Sequence, residues 1–168
     1  MQVTMIGLDL AKNVFQVHGV DAHERPVLRK RLSRTKVAEF FAQLPPCRVG
    51  MEACPGAHWW ARQLLQLGHD VKLMPPQYVR PYVKRNKNDA ADAEAICEAL
   101  TRPSMRFVPV KSLDQQAALL LHRTRDLLVA QRTQLANALR GHLAEFGVVV
   151  AQGIGRVREL VTLLDEAN

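Results

Sequence analysis

Apolar and polar positions along the chain change period several times, and each change marks an element. Val3 to Leu10 is an apolar run of strand length, suited to the buried centre of a sheet and interrupted by Asp9. Val14 to Val20 alternates and predicts a second strand. Asp21 to Pro26 reads as a turn, and Val27 to Leu32 as a third strand with Arg29 and Arg31 exposed. Short turns between these three predict an antiparallel meander. The period then lengthens. Ser33 or Thr35 is placed to cap a helix carrying Val37, Phe40, Phe41 and Leu44, which Pro45-Pro46 ends. Arg48 to Ala53 is a short fourth strand containing Glu52. Pro55 or Gly56 opens a helix with Trp59, Trp60, Leu64, Leu65 and Leu67, closed by Gly68. Asp70 to Met74 is a fifth strand, and Pro75 to Asn88 is expected to be a loop. A helix from about Asn88 to Leu100 follows, with Ala95, Ile96 and Ala99 toward the core. Strands and helices alternating in this second part call for parallel crossovers onto the same sheet, hence an α/β fold.

Beyond Lys111 the pattern is helical throughout. Leu113 to Phe146 holds no proline and no glycine before Gly141, enough for a rod of about 50 Å. Leu121, Leu128 and Leu135 recur at heptad spacing, while Arg123, Arg125, Arg132 and Arg140 make a basic outer face. This predicts either a coiled-coil arm that joins copies of the chain or an antiparallel hairpin broken near Gly141. Ordinary helices packed on the first domain are the plainer alternative. The expected domains are residues 1–104 (the α/β part), 105–147 (the helical arm) and 148–168 (a linker or further helical segment). Gln152-Gly153-Ile154-Gly155 lacks the third glycine and the βαβ setting of a dinucleotide-binding turn. The amphipathic segment from Val157 to Leu164 has little to pack on, so the chain reads as one module of a longer protein.

Composition narrows the partners. Hydrophobic content of 48% supports a packed core, and only 5% aromatic residues makes that core mainly aliphatic. A net charge of +7 favours a polyanion, nucleic acid before a membrane surface. The cysteines, Cys47, Cys54 and Cys97, are odd in number and form no CxxC, as in a reduced bacterial cytoplasmic protein. No run reaches transmembrane length and no secretion signal opens the chain.

The chemistry lies in carboxylates. Asp89 and Asp92 stand three residues apart at a helix start, where they share a face. They serve either as capping residues or as a pair that needs a cation between them. Asp9 and Glu52 sit in apolar strands, where an ionised carboxylate is costly unless paired or metal-bound. For Asp9 the alternative is a polar strand end ahead of Lys12-Asn13. With the first and fourth strands adjacent and parallel, four acids would gather at one sheet edge. Such a cluster suits Mg²⁺ or Mn²⁺ and two-metal phosphodiester chemistry. Glu94 and Glu98 fall off the Asp89–Asp92 face and are expected to be solvated. A glycosidase pair would leave the basic balance unexplained. No Ser-His-Asp or Cys-His arrangement stands out, and a sugar kinase would need glycine-rich phosphate loops that are missing. Between Pro75 and Asn88, Arg80, Lys84, Arg85 and Lys87 alternate with Tyr78 and Tyr82, a pattern suited to phosphate contact and base stacking or to a solvated connector.

Ile6-Gly7-Leu8-Asp9-Leu10-Ala11-Lys12, Met51-Glu52-Ala53-Cys54-Pro55-Gly56 and Lys87-Asn88-Asp89-Ala90-Ala91-Asp92-Ala93, in that order, resemble the DEDD transposases of the IS110/IS1111 group. The resemblance covers about Val3 to Leu100. It implies a RuvC-like domain of the RNase H fold followed by a coiled-coil arm, with Asp9, Glu52, Asp89 and Asp92 as catalytic, Mg²⁺-binding acids. It also implies recombination of insertion-element DNA by an oligomer guided by a structured RNA. A C-terminal domain bearing a catalytic serine would be missing here. The alternatives left open are a free-standing Holliday-junction resolvase-like nuclease and a non-catalytic nucleic-acid-binding dimerisation module.

Overall fold

The structure, a computed structural model, describes residues 2–83, 89–159 and 162; the side chains of Asp89, Ala90 and Ile154 lie outside that description. Two compact units are present, Met1–Lys111 and Ser112–Asn168. The first is built from β1 (Met5–Asp9), β2 (Val14–Val20), β3 (Pro26–Ser33), α1 (Val37–Ala42), β4 (Arg48–Glu52), α2 (Ala57–Gln66), β5 (Asp70–Met74), α3 (Pro76–Val79) and α4 (Asp89–Leu100). The strands form one sheet in the order β3-β2-β1-β4-β5. β3, β2 and β1 are antiparallel neighbours, while β1, β4 and β5 run parallel. This is the five-stranded mixed sheet of the RNase H-like fold.

Alternation decides which face each strand side chain takes. Ile6, Leu8, Phe15, Val17, Val49, Met51, Val71 and Leu73 join Val37 and Phe41 of α1 and Trp60, Ala61 and Leu64 of α2 in the main core. Phe15 meets Trp60 edge-on at 5.1 Å, and the Arg34 guanidinium lies over both rings. Edge-on aromatic pairs of this kind add stabilisation beyond the area they bury. Buried His69 closes one end of this layer. Its Nδ1 accepts from the Cys47 N–H at 3.3 Å, so its proton is on Nε2, which donates to the Phe41 carbonyl at 3.1 Å. On the opposite face Ala95, Ile96, Ala99 and Leu100 of α4 pack with Met74 and Val79 in a smaller cluster.

Local chemistry sets the element ends. Gly56, at φ +88°, opens α2 and Gly68, at φ +91°, follows it, conformations that disfavour any residue with a Cβ. Ser33 and Thr35 bond to each other at 3.2 Å, and Ser33 makes no cap bond to the helical turn that follows. In the β2–β3 turn, burial alone would raise the Asp21 carboxyl. Hydrogen bonds from the Arg25 and His23 N–H groups and the Arg25 guanidinium instead hold it below the usual carboxylate range. The segment expected to be a loop after β5 begins with α3. Pro76 occupies its first turn, where a missing N–H costs nothing, and Val79 is buried. Val108 returns to the sheet as an isolated antiparallel bridge to Leu73. The Arg62 guanidinium donates to the Lys111 carbonyl at 2.8 Å.

The second unit is dominated by α5 (Leu113–Ala144), 32 residues long. Ser112 and Gln115 form a reciprocal capping box at its start. The helix passes through Gly141 unbroken, so no hairpin forms there. Its heptad leucines are bare: Leu121 is 74% exposed, Leu128 58% and Leu135 63%.

Candidate active site

β1 and β4 run side by side, with Gly7 opposite Gly50 as their last paired rung. Each strand continues two residues further, to Asp9 and to Glu52. Two residues restore the same face, so both acids project on the side of Gly7 and Gly50, away from the main core. Both are half-buried. Cys54 reports on their closeness. Burial pushes its thiol up, the Glu52 charge adds to this, its own backbone N–H opposes it, and the Asp9 charge raises it again.

α4 covers this face. A Cβ on Gly7 would lie 2.1 Å from the Ala93 carbonyl oxygen and 2.6 Å from the Cys97 nitrogen, so the helix backbone rests on the strand. A Cβ on Gly50 would meet Leu100 and Met74 at 3.0 Å and Ile96 at 3.4 Å. The direction of α4 follows from its neighbours. Ala91 shares a groove with Gln16, while Thr101 and Arg102 share one with Val20 and Pro26. Since Gln16 pairs with Asp9 and Val20 with Met5, α4 runs opposite to β1 and starts at the Asp9 end. One helical turn before Ile96 is Asp92, on the stripe over β4. Asp92 is half-buried.

Asp9, Glu52 and Asp92 therefore occupy one end of one face; the Asp89 side chain lies outside the described residues. Among the described residues no group of three His, Cys, Asp or Glu side chains stands ready to hold a metal ion. Of the basic candidates, Arg80 is exposed, on a 3₁₀ turn soon after α3; Lys84, Arg85 and Lys87 lie outside the described residues. Tyr78 is exposed, but Tyr82 packs against the smaller core with Arg102 over its ring at 5.4 Å, which removes it as a stacking platform. Glu94 is not simply solvated: it pairs with Arg29 at 3.6 Å across the groove. Glu98 pairs with Arg102 at 2.7 Å. The sequence marks Arg29 and Arg31 of β3 as exposed but not their alignment with Gln16 and His18 of β2 in a polar row beside the acids, although the period-two spacing was the available signal.

Residues 6–148 match a family profile described as Transposase, of the IS110 DEDD type. The chain belongs to that transposase family. It is 60% identical over 152 residues to a Pseudomonas aeruginosa protein named "Probable family 20 transposase", covering 90% of this chain and 45% of that one. It is 52% identical over 164 residues to the transposase for insertion sequence element IS1328 of Yersinia enterocolitica, covering 98% of this chain and 49% of that one. The chain thus spans about half the length of these family members. Among solved structures, T. thermophilus RuvC in complex with a Holliday junction substrate aligns over 64% of this chain and 100% of its own, at 13% identity and a TM-score of 0.48. No helix among the described residues is long and apolar enough to cross a membrane.

Proposed function

We propose that this chain is the metal-binding catalytic portion of a DNA transposase, acting on insertion-element DNA by Mg²⁺-dependent phosphodiester chemistry and completed by a C-terminal domain. The observation that carries the reading is the end-to-end placement of Asp9 and Glu52 on adjacent parallel strands, under a helix whose first turn bears Asp89 and Asp92. Carboxylate oxygens are the donors that a hard divalent cation prefers, so the residues at this edge fit Mg²⁺ or Mn²⁺ in kind. Asp9, Glu52, Asp89 and Asp92 would hold it. A pair of such ions, when bound, activates an attacking oxygen and stabilises the leaving one. The acids themselves act as ligands and keep the site anionic until it is filled. Arg80, Lys84, Arg85 and Lys87 are proposed to contact phosphates. A second copy would join along the heptad leucines of α5, whose exposed seven-residue repeat suits a coiled coil. A structured guide RNA is proposed from the family resemblance, and a bacterial cytoplasmic setting from the cysteine pattern.

The test is calorimetric titration of Mg²⁺ or Mn²⁺ into the chain, wild type against Asp9→Asn/Glu52→Gln. Binding heat in the first and none in the second, with matching circular dichroism, is the expected outcome. Equal affinity in both would sink the metal assignment.

A further inference from the structure

Extending the pairing outward from the acids gives a single row across the sheet: Glu52, Asp9, Gln16, Arg31. Cross-strand partners share a face, and adjacent strands lie about 4.8 Å apart, so Gln16 stands one strand from Asp9 and Arg31 two. Behind them runs the parallel row Gly7, His18, Arg29. Between these rows and the first turns of α4 lies a groove of about 380 Å³, lined among others by Gln16, Arg29, Arg31, Ala91 and Glu94.

Two polar groups of this groove are uncommitted among the described residues. Gln16 is only 8% exposed, yet its carboxamide makes no side-chain hydrogen bond among the described residues. Its amide faces the groove rather than being sealed in: the buried side-chain atoms without a partner among the described residues are Trp60 Nε1 and Arg140 Nε. Arg31, at the rim, makes no ion pair among the described residues, whereas its neighbour Arg29 is held by Glu94 at 3.6 Å. The Glu94 charge is thus met by Arg29, and the groove keeps one uncommitted guanidinium plus an amide, a donor set matched to phosphate oxygens. Lys30 does not contribute its charge here; it turns to the other face, over the Phe40 ring at 5.0 Å.

We propose that this groove binds the phosphodiester backbone of a nucleic-acid strand, with Arg31 taking a phosphate and Gln16 donating to an oxygen of the unit between that phosphate and the acids. The proposal rests on the metal-site reading and extends it. It gives the strand a path over the β3 side of the sheet, distinct from the Arg80 segment that leaves β5.

Fluorescence anisotropy of a labelled single-stranded oligonucleotide, in metal-free buffer across a salt series, tests it on the 168-residue chain. Arg31→Gln, an exposed position that leaves the fold alone, is expected to weaken binding on the order of tenfold at low salt. It should also lower the slope of log K against log salt by about 0.7, one phosphate contact on a single strand. Gln16→Leu should weaken binding without changing the slope. Lys36→Gln, whose native side chain pairs with Glu39 away from the groove, should do neither. Wild-type affinity and slope in Arg31→Gln would overturn the proposal, as would an equal loss in Lys36→Gln. Mg²⁺ calorimetry on Arg31→Gln separates the two readings. Retained metal heat with unchanged DNA binding removes the groove alone; altered DNA binding with no metal heat even in wild type removes the metal site alone.

Discussion

The two faces of the sheet are built on opposite principles. One is filled with bulk: Phe15, Met51 and Leu73 of the strands are fully buried with Phe41 of α1 and Leu64 of α2. The other holds only a smaller apolar cluster, around Met74 and Ile96. Gly7 and Gly50 admit α4 onto the strands, and the places where a strand would ordinarily add Val or Ile hold Asp9, Gln16, His18 and Glu52. The first face supplies stability through area removed from water. The second gives up that area for close approach and for polar groups, and it can do so only because the first compensates. A single sheet thus divides support from chemistry by the parity of its residue numbers.

Substitutions should respect that division. The largest effect is expected at Phe15→Ala, which opens a cavity beside Trp60 and should cost about 3–5 kcal/mol in urea unfolding while leaving Mg²⁺ affinity of the folded fraction unchanged. Gly7→Ala comes next. Its new Cβ meets helix backbone rather than a movable side chain, so about 3 kcal/mol is expected, accompanied by loss of metal binding as α4 is displaced. Stability lost without any change in metal binding would show that α4 does not position the acids. Asp9→Asn should behave in the reverse sense. In metal-free buffer it relieves repulsion with Glu52 and should leave the melting temperature equal or slightly higher, a gain below about 1 kcal/mol. Added Mg²⁺ should then raise the wild-type melting temperature and not the variant's. The smallest effect is one of rate. Burial pushes the Cys47 and Cys97 thiols up to about 11, leaving about a thousandth as thiolate at pH 8. Half-exposed Cys54 should therefore be alkylated first, as read by mass spectrometry of the native protein. Cys97, under α4, labelling as fast as Cys54 would mean that the helix lifts from the sheet.

The strands and the main core were readable because period-two runs bounded by Gly and Pro leave little choice of element or face. Failures came where one residue type sends two messages. Pro75-Pro76 ended β5 as expected, but Pro76 also occupies a favoured helix-start position, and α3 follows from it. Gly141 suggests a possible break in the sequence pattern. One glycine costs only about 1 kcal/mol in a helix interior, and the 31 other residues of α5 absorb it. The pairing of Glu94 with Arg29 was out of reach, since it joins elements whose spacing no local pattern encodes. At the candidate site, the motifs marked which acids to watch. Only the parallel register of β1 with β4 and the reversed direction of α4 say which end of the sheet they occupy.

The glycine seat beneath α4 has a mechanical consequence. Side chains yield by hopping between rotamers, but peptide planes do not, and here carbonyl and amide groups of a helix bear directly on a strand. The height of the helix above the sheet is therefore set by main-chain dimensions, like a shim of fixed thickness. Drift elsewhere in the helix sequence can retune its outer surface without altering that clearance.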